Sequence, residues 1–295
     1  MFSNSHAFRE STFRTSDGLS LYYRTYDAEG DGQGLPVICL AGLSRNSRDF
    51  HDIATMIASQ PEKPRRVIAM DYRGRGKSDW DPKPENYNVL TEARDVVALM
   101  DHLGMAGAIF IGTSRGGLIL HIMAAFAPDR IAGIVLNDIG PEIELAGMRQ
   151  IRDYLSAWPE PRNWAQAARA LKATHGHGFP AFEAGDWDSM ARAIFAEKQG
   201  RIVPDYDPAL VEPLKTMDLE APLPDLWPQF DTLSAIPLLA IRGEHSIVLS
   251  ERTLNEMVLR HPLLIKAMAP GQAHAPVLHR HGMKEVVLDF LQRLD

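Results

Sequence analysis

The chain of 295 residues holds one cysteine, Cys39, so no disulfide can brace it from within. Cys39 lies in the apolar run 35–40 and reads as a small core residue rather than a reactive thiol. Long apolar runs are missing as well. No stretch reaches the roughly 20 apolar residues of a membrane-spanning helix, and residues 1–12 show neither an apolar signal core nor an Arg-rich amphipathic pattern. A cytoplasmic protein with no membrane partner is expected. Blocks of one charge sign are also absent, since 31 Lys and Arg against 38 Asp and Glu leave a net charge of −7 spread along the chain. That argues against nucleic acid or an anionic surface as partner. What remains, 45% hydrophobic and 23% charged residues without internal repeats, suits one large α/β domain or a core with a smaller insertion.

The most informative stretch is residues 108–118, AIFIGTSRGGL. Ile109, Phe110 and Ile111 read as a buried strand, residues 112–117 as a sharp turn, and residues 118–126 as the start of an apolar helix. Gly112-x-Ser114-x-Gly116 then matches the turn that lifts a serine hydroxyl above a sheet, with glycines where side chains would collide as strand and helix pack against the bend. Ser114 is the candidate nucleophile.

Strand and helix patterns alternate around it. Residues 8–15 and 19–27 read as a hairpin, and residues 67–70, 131–136, 236–241 and 263–268 join 35–40 as buried strands. Helical spacing marks 47–59, 90–103, 250–260 (with Ser250 as N-cap) and 283–294. Residues 142–230 differ in character. They hold four of the five tryptophans and helical patterns at 165–172 and 188–198 but no convincing strand, which reads as a helical cap inserted between two strands. Trp158, Trp164 and Trp187 are expected to line an apolar pocket beneath it. Gly76-Lys77-Ser78 looks like the end of a phosphate-binding loop, but Asp71 stands where the first glycine belongs and the Pro-rich residues after it cannot open a helix. We read 71–79 as a tight surface loop.

A serine hydroxyl needs a general base and a group that orients the base. In the strand–elbow–helix arrangement these follow in the order serine, acid, histidine, with the histidine in a loop after the last strand. His274, in 269–276, holds that position. The pairs His175/His177 and His279/His281 lack a third ligand nearby and read as exposed loop histidines, so no metal is expected. Two backbone N–H groups must meet the negative charge that grows on the carbonyl oxygen. Arg115, directly after the nucleophile, and Leu43, after the first buried parallel strand, are the candidates.

On the segments 71–78, 112–117, 136–141, 242–246 and 272–276, the chain resembles the α/β-hydrolase superfamily, in particular its capped bacterial esterases, 3-oxoadipate enol-lactonases and meta-cleavage hydrolases. The resemblance implies a mostly parallel, doubly wound eight-stranded sheet, with 1–140 and 231–295 as core and 141–230 as cap. It also implies Ser114 as nucleophile, His274 as base and no cofactor. The substrate implied is a small apolar carboxylic ester or lactone, hydrolysed by a monomer or homodimer, with carbon–carbon bond hydrolysis as the alternative. The acid departs from the pattern. The family's aspartate lies just past the Gly243-Glu244 turn, where this chain carries Ser246 and Ile247. Asp138, at the end of the strand after the elbow helix, can orient His274 or merely cap its own turn. Glu244 is the second candidate, and a ligand-binding relative with impaired catalysis is the third possibility.

Overall fold

A computed structural model describes residues 8–29, 34–156, 161–219, 221 and 223–294. Eight strands form one sheet in the order β1-β2-β4-β3-β5-β6-β9-β10. The first two, β1 (Arg9–Arg14) and β2 (Ser20–Tyr26), make the expected antiparallel hairpin. From β4 (Val67–Met70) through β3 (Val37–Leu40), β5 (Ala108–Thr113), β6 (Ile131–Asn137) and β9 (Leu238–Gly243) to β10 (Leu264–Ala269), all neighbours are parallel. Helices cover both faces of such a sheet, which is why β3, β4 and β9 are buried at every residue and read as unbroken apolar runs. At the edge, β10 is largely exposed, because it has a neighbour on one side only. Among the connecting helices are α1 (His51–Ala58), α2 (Val89–His102), α3 (Arg115–Phe126), α9 (Glu251–Arg260) and α10 (Met283–Gln292). Ser250 accepts from the Thr253 N–H as the N-cap of α9.

Between β6 and β9 the chain forms α4 (Leu145–Ser156), α5 (Trp164–His175), α6 (Ala184–Ile194), β7 (Phe195–Lys198), β8 (Arg201–Pro204), α7 (Glu212–Thr216) and α8 (Trp227–Asp231). Here the structure corrects the expected helix 188–198. The helix ends at Ile194, and Phe195–Lys198 pairs with Arg201–Pro204 around Gln199 and Gly200, both at positive φ as a two-residue hairpin turn requires. The insertion has its own apolar cluster, which includes Leu171, Phe179, Trp187 and Phe195. The proposed boundary at 230/231 runs through α8, whose Phe230 belongs to the core under the sheet.

Arg48 ties the insertion to the loop after β3. Its guanidinium donates to the carbonyls of Arg192, Ala193 and Phe195 and pairs with Asp205 at 2.8 Å. The 71–79 loop holds the segment just after this hairpin, through Gly76 N–H to Asp205 O and Asp207 N–H to Gly74 O. No helix among the described residues is long and apolar enough to cross a membrane.

Candidate active site

Ser114 sits between β5 and α3 at φ 50°, a conformation that a non-glycine residue adopts only under constraint. Two glycines make the bend possible. A Cβ on Gly112 would lie 2.8 Å from the Gly116 backbone, and one on Gly116 would lie 2.2 Å from the Leu40 carbonyl oxygen. The bend is tied to its neighbours by Asn137 at the end of β6. The Asn137 carbonyl accepts from Ser114 N–H, and its amide donates to Thr113 Oγ1 and to the carbonyl of Pro276 in the His274 loop.

His274 Nε2 lies 2.9 Å from Ser114 Oγ, and its Nδ1 lies 2.9 Å from Asp138 Oδ2. A carboxylate only accepts, so the ring proton belongs on Nδ1 and Nε2 is left to accept from the serine hydroxyl. Asp138 is fully buried, and all its bonds are supplied by donors. Gly243 N–H reaches Oδ1 at 2.8 Å, while the Ser246 hydroxyl reaches Oδ2 at 2.6 Å. Ser246 therefore stands beside Asp138 as a donor to its carboxylate. Ile247 is exposed and takes no part in this chain of bonds. The structure also does not bring Glu244 to His274. The Glu244 carboxylate instead accepts from Gly271 N–H at 2.7 Å.

Arg115 opens α3, so its N–H has no partner within the helix. Leu43 lies on the wall of the same cavity as Ser114. Behind both stands a buried network that residue patterns did not reveal. Arg75 donates through Nε to the Leu43 carbonyl at 2.9 Å and pairs with Glu92 at 2.8 Å, and Glu92 takes Arg115 Nε at 2.6 Å. Burial pushes the Arg75 guanidinium down to about 10. The same burial pulls the Glu92 carboxyl up, but the charges of Arg75 and Arg115 outweigh it and hold the group below the usual carboxylate range.

The cavity runs from Ser114 up to the insertion. Ile151, Phe179, Phe182 and Met190 supply apolar wall, but Arg45, Arg280, Asp186 and His175 also face it. The tryptophan expectation is overturned. Trp187 is buried inside the insertion's own cluster, edge-on to Phe179, and Trp164 packs against that cluster with Arg192 over its ring. Neither lines the cavity, and Trp158 lies outside the described residues. His175 and His279 were expected to be exposed. Instead both face the cavity, His175 edge-on to Tyr154 and His279 paired with Asp52 at 3.2 Å. No group of three or more His, Cys, Asp or Glu residues among those described could hold a metal ion.

Comparisons with known proteins define the class. The family model for the alpha/beta hydrolase fold matches residues 36–208, and the chain belongs to that family of hydrolases. An alpha/beta hydrolase from Novosphingobium aromaticivorans has a crystal structure with a TM-score of 0.90 and 37% identity, covering 99% of this chain and 100% of that one. By sequence, the chain is 29% identical over 264 residues to a 3-hydroxybutyrate-oligomer hydrolase of Cupriavidus necator, covering 87% of this chain and 88% of that protein. It is also 25% identical over 251 residues to a 2-(acetamidomethylene)succinate hydrolase of Mesorhizobium japonicum, covering 85% of each.

Proposed function

We propose that the protein is a serine hydrolase of carboxylic esters that works through an acyl-enzyme on Ser114. The observation that carries this reading is the unbroken path of two 2.9 Å contacts from Ser114 through His274 to Asp138. Such a path is what a serine needs to become a nucleophile. His274 takes the hydroxyl proton as Ser114 Oγ attacks the ester carbon, and the N–H groups of Leu43 and Arg115 receive the oxyanion. The histidine then passes the proton to the leaving alcohol. Water, deprotonated by the same histidine, attacks the acyl-enzyme, releases the acid and restores Ser114.

The placement of Asp138 supports an active enzyme over a disabled ligand binder, since the orienting carboxylate is in hand. Between ester and carbon–carbon hydrolysis, likeness to a hydrolase of 3-hydroxybutyrate oligomers, which are esters, supports the ester. The test is turnover of short p-nitrophenyl esters together with labelling by a fluorophosphonate probe. Wild-type protein should do both, and Ser114→Ala should do neither while keeping its fold by circular dichroism. Undiminished labelling of Ser114→Ala would remove the assignment.

A further inference from the structure

One side of the cavity carries polar groups for which the reaction above has no use. Arg45 follows Leu43 by two residues and lines the same cavity as Ser114. A Cβ placed on Gly42 would lie 3.5 Å from Arg45 Cγ and 3.9 Å from Ser114 Cβ. The guanidinium is held in place by Asp49, four residues on, which takes both Nε (3.0 Å) and Nη2 (2.7 Å) on one oxygen, Oδ1. That leaves Nη1 with no hydrogen-bond partner among the described residues. His175, at the end of α5, lines the same cavity, and its ring nitrogens also lack a hydrogen-bond partner among the described residues. Burial first, then the Arg45 charge, push its imidazole down to about 4, so the ring is neutral at pH 7 and can still donate one N–H.

The other arginines on the cavity wall are ion-paired as well. Arg280 is paired with Asp186 at 2.9 Å and Arg48 with Asp205 at 2.8 Å. A guanidinium edge has donors only, and its fork matches the two oxygens of a carboxylate. We propose that Arg45, assisted by His175, is a subsite for a carboxylate carried by the ester substrate. The substrate class is then short esters with a free acid, either esters of a hydroxy acid or half-esters of a dicarboxylic acid. Ile151, Phe179 and Met190 cover the apolar remainder. This rests on the ester-hydrolase reading, to which it adds the substrate's second functional group.

The experiment uses two matched pairs of substrates. One is the linear dimer of 3-hydroxybutyrate with its acid free or blocked as the dimethylamide, which puts the carboxylate on the alcohol side. The other is monophenyl glutarate against the same ester blocked in the same way, which puts it on the acyl side. Wild-type protein should prefer the free acid in at least one pair by about tenfold or more in kcat/KM, mostly through KM. The pair that shows the preference tells which side faces Arg45. In Arg45→Gln the ratio of free acid to blocked ester should fall about tenfold, and Arg45→Lys should retain part of it. Equal rates within both pairs, or a ratio that Arg45→Gln leaves unchanged, would overturn the subsite while the ester reading stands. If no ester is turned over and the fluorophosphonate probe fails to label wild-type protein, the ester reading falls and the subsite with it.

Discussion

Replacing Asp138 by asparagine changes one atom and tests the logic of the whole hydrogen-bonded path. Gly243 N–H needs an acceptor at Oδ1, so the asparagine oxygen must take that place and its NH2 must take the place of Oδ2. The Ser246 hydroxyl, which already accepts from the Val248 and Leu249 N–H groups, loses its acceptor there, and His274 Nδ1 can meet the NH2 only by giving up its proton. The ring then carries its proton on Nε2, which faces Ser114 Oγ and can no longer accept from it. Loss of the correct tautomer lowers kcat by about 10³ to 10⁴, or about 4–5.5 kcal/mol of transition-state stabilisation. Because Ser246 Oγ touches the same carboxylate oxygen that His274 uses, Ser246→Asp in the Asp138→Asn background puts a carboxylate back within reach of Nδ1. Activity should recover by about tenfold or more over Asp138→Asn alone. Ser246→Asp by itself should be harmful, since two carboxylates in contact cannot both ionise. The assay is steady-state hydrolysis of p-nitrophenyl acetate, with urea unfolding to confirm that each variant is folded. If Asp138→Asn keeps more than about a tenth of wild-type kcat, Asp138 is a turn residue and the argument fails.

Glu92→Gln leaves Arg75 buried beside a neutral partner, and should cost about 3–5 kcal/mol of stability by urea unfolding. Because Arg75 and Glu92 brace Leu43 and Arg115, the same variant should lose kcat with little change in KM. A kcat equal to wild type would show that the network is structural only. His121, fully buried with its ring on the Gly117 carbonyl, is pushed down by burial to about 4. The unfolded chain therefore binds the extra proton between about pH 4 and 6.5, so stability falls as pH drops through that window. From pH 7 to pH 5 this one group should cost about 2 kcal/mol, and the drop should shrink by that amount in His121→Gln. Equal pH slopes for the two proteins would contradict it.

The elbow was legible because its constraint is local. A strand, a bend and a helix within eleven residues need glycine at two named positions, and no distant contact changes that. The alternation of buried strands and amphipathic helices is legible for the same reason, being periodicity within each segment. Which carboxylate reaches His274 was not, since that depends on β6 and β9 being neighbours, with Asn137 opposite Ile241 and, just beyond them, Ser246 donating to Asp138. Position in the chain could bring Asp138 and Glu244 forward as candidates, but only the folded structure shows which of the two reaches His274. The tryptophans misled because aromatic bulk looks the same in a pocket wall and in a private core, and Trp187 went to the core. The β7–β8 hairpin did leave a trace, Gln199-Gly200 between two short alternating runs, which the helical pattern of 188–194 obscured.

The Arg48 anchor determines how substrate exchange can proceed. Four charge-assisted contacts hold the end of α6 and the β7–β8 hairpin against the loop that carries Leu43 and Arg45. Swinging that roof away as a body would break all four, at a cost of about 5 kcal/mol or more, so only about one molecule in several thousand would stand open at any moment. Exchange through the cavity is then expected to proceed by side chains stepping aside beneath the anchored roof. Because the Arg48 contacts join the insertion to the segment just after Leu43, a substrate that presses on the insertion presses at the same time on the Leu43 N–H proposed to receive the oxyanion.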